Sequence, residues 1–252
     1  TIENNEAFNG AIGIYVADST DYPIIKSNLL HDNSGIGLHM NGDRHSGGDG
    51  TISYALVENN IIYDNGATGI NLDGVTESVF RNNLLDNNKK RGIAFFKQDG
   101  AVPSNDNYVI HNTIVMPAGA SYAIGLNYGA YRDTFYNNII LTEGNVPCFS
   151  TTGKIGDLEV VSDYNLLPKD GKIWEMGDGA YRFGKWQRKL SEIANKASNF
   201  VTGQSSGNDR HSVQAEIGET FANQKNGDFQ LLATSPAIDK GIATHSFGKD
   251  LI

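Results

Sequence analysis

Five side chains in this sequence have the types that proton abstraction beside a carboxylate needs. His39 and Lys97 can act as bases. Arg44 and Arg132 can neutralise a carboxylate, and Asp73 can orient an imidazole and raise its basicity. Together they suit removal of a proton from the carbon next to a carboxylate, with a base on the proton and a cation on the carboxylate. Tyr15 and Phe96 offer rings that can stack on sugars, and Asn71, Asn127 and His45 offer hydrogen-bonding groups beside them. Asp43 and Asp49, with Asn41, lie on the Gly-rich stretch NGDRHSGGDG and supply hard oxygen ligands suited to calcium, at a spacing that is not an EF-hand. No other cofactor is implied. Asp73 and Asp99 are the only acids near these groups available as a glycosidase pair, a weaker reading because the sequence does not fix their separation.

These residues are far apart in sequence, so a repeat must bring them together. One pattern recurs: a β-branched or aromatic residue, two polar residues, asparagine, then two apolar residues. It reads IENNEAF, IKSNLLHDN, VENNIIYDN, FRNNLLDNN, VIHNTIV, FYNNIIL and VSDYNLL. The aligned asparagines are Asn5, Asn28, Asn60, Asn83, Asn112, Asn138 and Asn165, at spacings of 23, 32, 23, 29, 26 and 27 residues. Between them lies a second alternation of small and apolar residues: AIGIY, GIGLH, GINLD, GIAFF and AIGLN. Period-2 alternation signals strand.

Each unit has too little apolar surface to fold alone, so units must stack at about 4.8 Å per rung. The expected fold is an all-β, right-handed parallel β-helix of about six coils over 1–167. Residues 168–252 form a C-terminal extension with a short helix, packed on the coils as part of one structural domain. Aligning the glycines predicts two inward ladders, Ile12/Ile36/Ile70/Ile93/Ile124 and Ile14/Leu38/Leu72/Phe95/Leu126. The outward columns would be Gly13/Gly37/Asn71/Ala94/Gly125, a flat floor, and Tyr15/His39/Asp73/Phe96/Asn127. That register puts His39 and Asp73 on adjacent rungs. The asparagines would form a hydrogen-bonded ladder at a turn.

The longest insertion lies between Leu38 and Val57. Others are KQDGAVPSNDN and GAYRD, and all three leave after the second strand, so they should crowd one side. In the tail, Phe183 to Ser198 read as an amphipathic helix through Trp186, Leu190, Ile193 and Ala197. DFQLL reads as a strand and SPAIDKG as one helical turn. Thr1 begins directly on a coil strand, which predicts a piece of a longer protein.

Net charge is −9, which disfavours nucleic acid and anionic membrane as partners. No apolar run approaches the length of a membrane span, about 20 residues. Cys148 is the only cysteine, so an internal disulfide is excluded.

The NNIIYDN-type and GI-x-L-type strands resemble the repeats of the pectin-lyase-like superfamily over roughly 1–167. DRHS followed by GDFQLLATSPAIDKG is similar to the C-terminal extension of its secreted bacterial members. The resemblance implies a polysaccharide or other glycan as partner and a secreted or cell-surface location. It does not select an activity: the Asp-Pro-His-Asp run of alginate epimerases, the paired aspartates of polygalacturonases and the arginine motif of pectate lyases are all missing. Two readings follow. One is a lyase or epimerase acting on a uronate glycan. The other is a non-catalytic module for glycan binding or surface adhesion.

Overall fold

The computed structural model describes residues 1–153, 158–177, 179–187 and 209–243. The chain winds as parallel strands, and each coil contributes one strand to each of three sheets. The first sheet has seven strands, from Ile2–Glu3 to Val161–Asp163. The second runs from Glu6–Phe8 to Leu166–Pro168 and gains Val213–Ala215 from the tail. The third runs from Ile12–Ala17 to Trp174–Met176 and closes with an antiparallel strand, Gly179–Tyr181. There are thus seven coils rather than six. The seventh continues past Leu167, because Trp174–Met176 pairs in parallel with Phe149–Ser150.

The asparagine ladder is present on every coil. Each Nδ2 donates to the Oδ1 of the next asparagine, from Asn5 through Asn165, at 2.9 to 3.1 Å. From Asn28 onward, each Nδ2 also reaches a carbonyl on the preceding coil, as Asn60 reaches Ile25 at 3.0 Å. The residue before each asparagine is left-handed, with φ between 54° and 57°: Asn4, Ser27, Asn59, Asn82, His111, Asn137 and Tyr164. That conformation costs a non-glycine residue about 1 kcal/mol or more. It turns the chain so that the asparagine amide points inward, where its hydrogen bonds offset the strain. A second, shorter ladder joins Asn33, Asn65 and Asn88 at 2.9 Å, again after left-handed residues, Asp32, Asp64 and Asn87. A third joins Ser78, Asn107 and Asp133.

The register on the third sheet differs from expectation. Ile70 pairs with Leu38 and Leu72 with Met40, so the inward ladders are Ile14/Leu38/Ile70/Ile93/Ile124 and Val16/Met40/Leu72/Phe95/Leu126. Ile12 and Ile36 pair with each other and are only half-buried. Gly37, Gly69 and Gly92 face the core. A Cβ there would meet Ile62, Leu85 and Ile114 at 2.5 to 2.9 Å, too close for a side chain. Only glycine lets the second and third sheets approach so closely at this corner.

The core ends in aromatic rings. Phe95, Phe135, Phe149 and Trp174 follow one another, and Trp186 stacks on Trp174 at 4.6 Å. Residues 183–187 are helical and deliver Trp186; Leu190, Ile193 and Ala197 lie outside the described residues. The expected strand at DFQLL is Asp228–Leu231, which forms a hairpin with Phe221–Asn223. Phe221 and Phe229 cover Val115, Leu141 and Leu166 on the outside of the second sheet. SPAIDKG forms a hydrogen-bonded turn rather than a helix, with Ser235 Oγ accepting from the Ala237 N–H.

Candidate functional site

The three insertions do meet on one side, where the chain passes from the third sheet to the first. Asp43 bridges Gly100, the Ala101 N–H donates to the Gly50 carbonyl at 2.8 Å, and Asn105 bridges Tyr131. They border the outward column of the third sheet, which reads Tyr15, His39, Asn71, Ala94 and Gly125. The expected flat floor is therefore absent. Bulky rings stand at one end, and at the other the Tyr122 ring lies over Gly125.

His39 and Asp73 do not pair. Asp73 lies opposite Asn41, two positions beyond His39 on the rung. Its buried carboxylate accepts three backbone N–H groups, from Gln98 at 2.9 Å, Asp99 at 2.8 Å and Gly100 at 3.1 Å. Asp73 is therefore the anchor of the 97–100 loop. His39 sits half-buried beside the Tyr15 ring, with Nδ1 at 3.1 Å from the Asn71 carbonyl and 3.2 Å from the Asn71 amide nitrogen. Burial pushes its pKa down, which favours the neutral ring.

The expected cations are largely committed. Lys97 Nζ donates to the Ala101 carbonyl at 2.7 Å. Arg132 forms a two-point ion pair with Asp106 and lies over the Tyr131 ring. Arg44 is exposed on the long insertion. His45 is exposed and contacts Asp43 at 3.1 Å. Phe96 is half-buried, and Asn127 donates to the Tyr122 hydroxyl at 3.3 Å. Tyr15 is 51% exposed and accepts from Asn41.

On the insertion, the expected calcium ligands Asp43 and Asp49 are engaged within their own turns. Asp43 accepts from the His45 N–H and the Ser46 hydroxyl, and Asp49 from the Thr51 N–H and hydroxyl. These are local turn bonds. No group of three or more His, Cys, Asp or Glu among the described residues is arranged to hold a metal.

A second concavity had no counterpart in the expected sites. A groove of about 610 Å³ runs between the second sheet and the tail hairpin. Tyr63, Asp64, Asp86, Glu143 and Lys225 line it, over an apolar wall that includes Leu84, Val115 and Phe229. Gln224 Nε2 donates to Asp86 Oδ1 at 2.9 Å. Burial raises the Asp86 pKa, and the charges of Asp64 and Glu143 add to that. One signal was readable: Asp86 occupies the outward column of His31, Tyr63 and Val115, a lone carboxyl among rings and aliphatics.

The right-handed β-helix region family matches residues 1–157. The chain belongs to the right-handed β-helix family. No curated protein and no solved structure matches the chain. The β-helix match ends after the sixth coil, before Val161–Asp163 opens the seventh, so it covers the third-sheet face and most of the groove wall. It leaves out the hairpin that completes the groove.

Proposed function

We propose that this β-helix protein binds a polysaccharide without cleaving it, along the third-sheet face beside the three insertions. The superfamily resemblance supports a polysaccharide partner and an extracellular or cell-surface setting. The observation that carries the non-catalytic part is the state of the charged groups. Asp73 holds a loop, Lys97 holds a carbonyl, and Arg132 is paired with Asp106, which leaves only Arg44, exposed on the long insertion, as an uncommitted expected cation among the described residues. Uronate elimination needs a free cation at the carboxylate and a base at C5 in one place. Tyr15 supplies an exposed ring at one end of the face, and His39 and Asn71 supply polar groups beside it.

A lyase or epimerase is the second reading, and His39 favours it. Burial lowers the pKa of the ring, which favours its neutral form, and Nε2 has no hydrogen-bond partner among the described residues. A panel of uronate and neutral polysaccharides separates the two. Binding weakened about tenfold by Tyr15→Ala, with no unsaturated product, no new reducing ends and no epimerised residue by NMR, is the expected result. Unsaturated or epimerised product that disappears in His39→Ala would establish the second reading instead.

A further inference from the structure

We propose that the groove between the second sheet and the tail hairpin is a separate binding site for an amine-bearing sugar chain, such as a glucosamine oligomer. That the ligand is a sugar rests on the glycan reading above; that it carries an amine rests on the groove alone. The volume of about 610 Å³ lies in the range of ligand sites. Carboxyls reach the groove from three coils, through Asp64, Asp86 and Glu143, and Lys225 is the one cation in its lining. Asp64 is paired beside the groove with Lys89 Nζ at 3.3 Å, which leaves Asp86 and Glu143 as the carboxyls without a cation partner among the described residues. A polyuronate would be repelled there.

Asp86 is half-buried, whereas Glu143 is exposed to water. Oδ1 takes one amide donor, and Oδ2 has no hydrogen-bond partner among the described residues. A carboxylate partly removed from water with a single donor gains most from a bound cation. The remaining lining suits a sugar. Leu84, Val115 and Phe229 offer an apolar surface to ring C–H groups, and Asn87 offers a polar group for hydroxyls. The hairpin forms one wall, and the Gln224 bond to Asp86 ties that wall to the coils.

The test is calorimetric titration of the whole chain with a glucosamine hexamer at mildly acidic pH, where the amines are protonated. The N-acetylated hexamer, polygalacturonate and spermine serve as comparisons. The expected result is binding of the glucosamine hexamer at least about tenfold tighter than each of these. Asp86→Asn and Glu143→Gln should each weaken it, while Tyr15→Ala leaves it unchanged. Thermal melting checks that the variants fold; if Asp86→Asn does not, Glu143→Gln carries the test. Equal binding of the acetylated hexamer or of spermine overturns the inference, as does indifference to the carboxyl variants. Loss on Tyr15→Ala would assign the sugar to the third-sheet face and also overturn it. Failure of polysaccharide binding at that face, with glucosamine binding intact, would remove only the earlier reading.

Discussion

The Asn165 N–H donates to Ser212 Oγ at 2.8 Å, so a serine from the tail takes the place that an asparagine oxygen holds on every earlier rung. Ser212 Oγ donates in turn to Asp209 Oδ1 at 2.8 Å. The fully buried Asp209 also accepts from Ser162 Oγ and Trp186 Nε1. The tail thus closes both the ladder and the aromatic end of the core through one carboxyl. Asp209→Ala should cost at least about 3 kcal/mol, since it leaves several buried donors without an acceptor. Ser212→Ala should cost about 1–2 kcal/mol. Urea unfolding checks both, and tryptophan emission of Asp209→Ala should shift to the red as Trp186 loosens.

The ladder should be strongest in its middle. Asn60 Oδ1 accepts from the Asn28 N–H and amide, and its own amide reaches Ile25 and Asn83. Asn60→Ala should cost about 3 kcal/mol or more, because four buried groups lose a partner. Asn5, on the first coil, is exposed and its Oδ1 carries none of these bonds. Asn5→Ala should cost less than about 1 kcal/mol. Melting temperatures of the two variants give the comparison.

Asp73 predicts a local effect rather than a chemical one. Asp73→Ala removes the acceptor of three loop N–H groups and should destabilise by about 2–4 kcal/mol. Amide exchange should accelerate first at Gln98, Asp99 and Gly100. Unchanged exchange there would contradict the anchoring role.

Asp133 predicts a pH dependence. Its Oδ1 accepts from Asn107, while its buried Oδ2 has no partner among the described residues. Burial raises its pKa well above the usual carboxylate range. A raised folded pKa means that the stability it contributes is complete below the unfolded value, about 4. That stability is lost as pH rises through the folded value. Asp133→Asn keeps the ladder oxygen and removes the titration. It should match the parent near pH 3, within the scatter of about 0.5 kcal/mol expected for a mild change. Its advantage should grow as pH rises above about 4. Urea unfolding across that range tests the sign.

The seven ladder asparagines were legible because each stands in the same apolar frame, and a buried amide between stacked coils has few substitutes. The face around His39 was less legible. GIGLH and GINLD look alike, but Gly35 is two residues past Asn33 while Gly69 is four past Asn65. Matching the glycines slides one strand by two positions and creates a His39–Asp73 pair that the hydrogen bonding does not allow. Counting six residues from Asn33, Asn65 and Asn88 instead reaches His39, Asn71 and Ala94, the observed column. The groove was hidden for another reason. Asp86 and Gln224 are 138 residues apart, and no local period connects a coil to the tail that folds over it.

The second-to-third corner is so tight that Gly37, Gly69 and Gly92 have no room for a methyl group, and the first-to-second corner is stitched on every coil by asparagine. Every long insertion leaves by the remaining corner. The coil is therefore a frame with two fixed hinges and one adjustable joint. New loops can be grafted at that joint, for instance at the exposed Ser46–Gly47, without resetting the register of any rung. A surface that must diversify against changing ligands can do so there, while the stacked scaffold keeps its pitch.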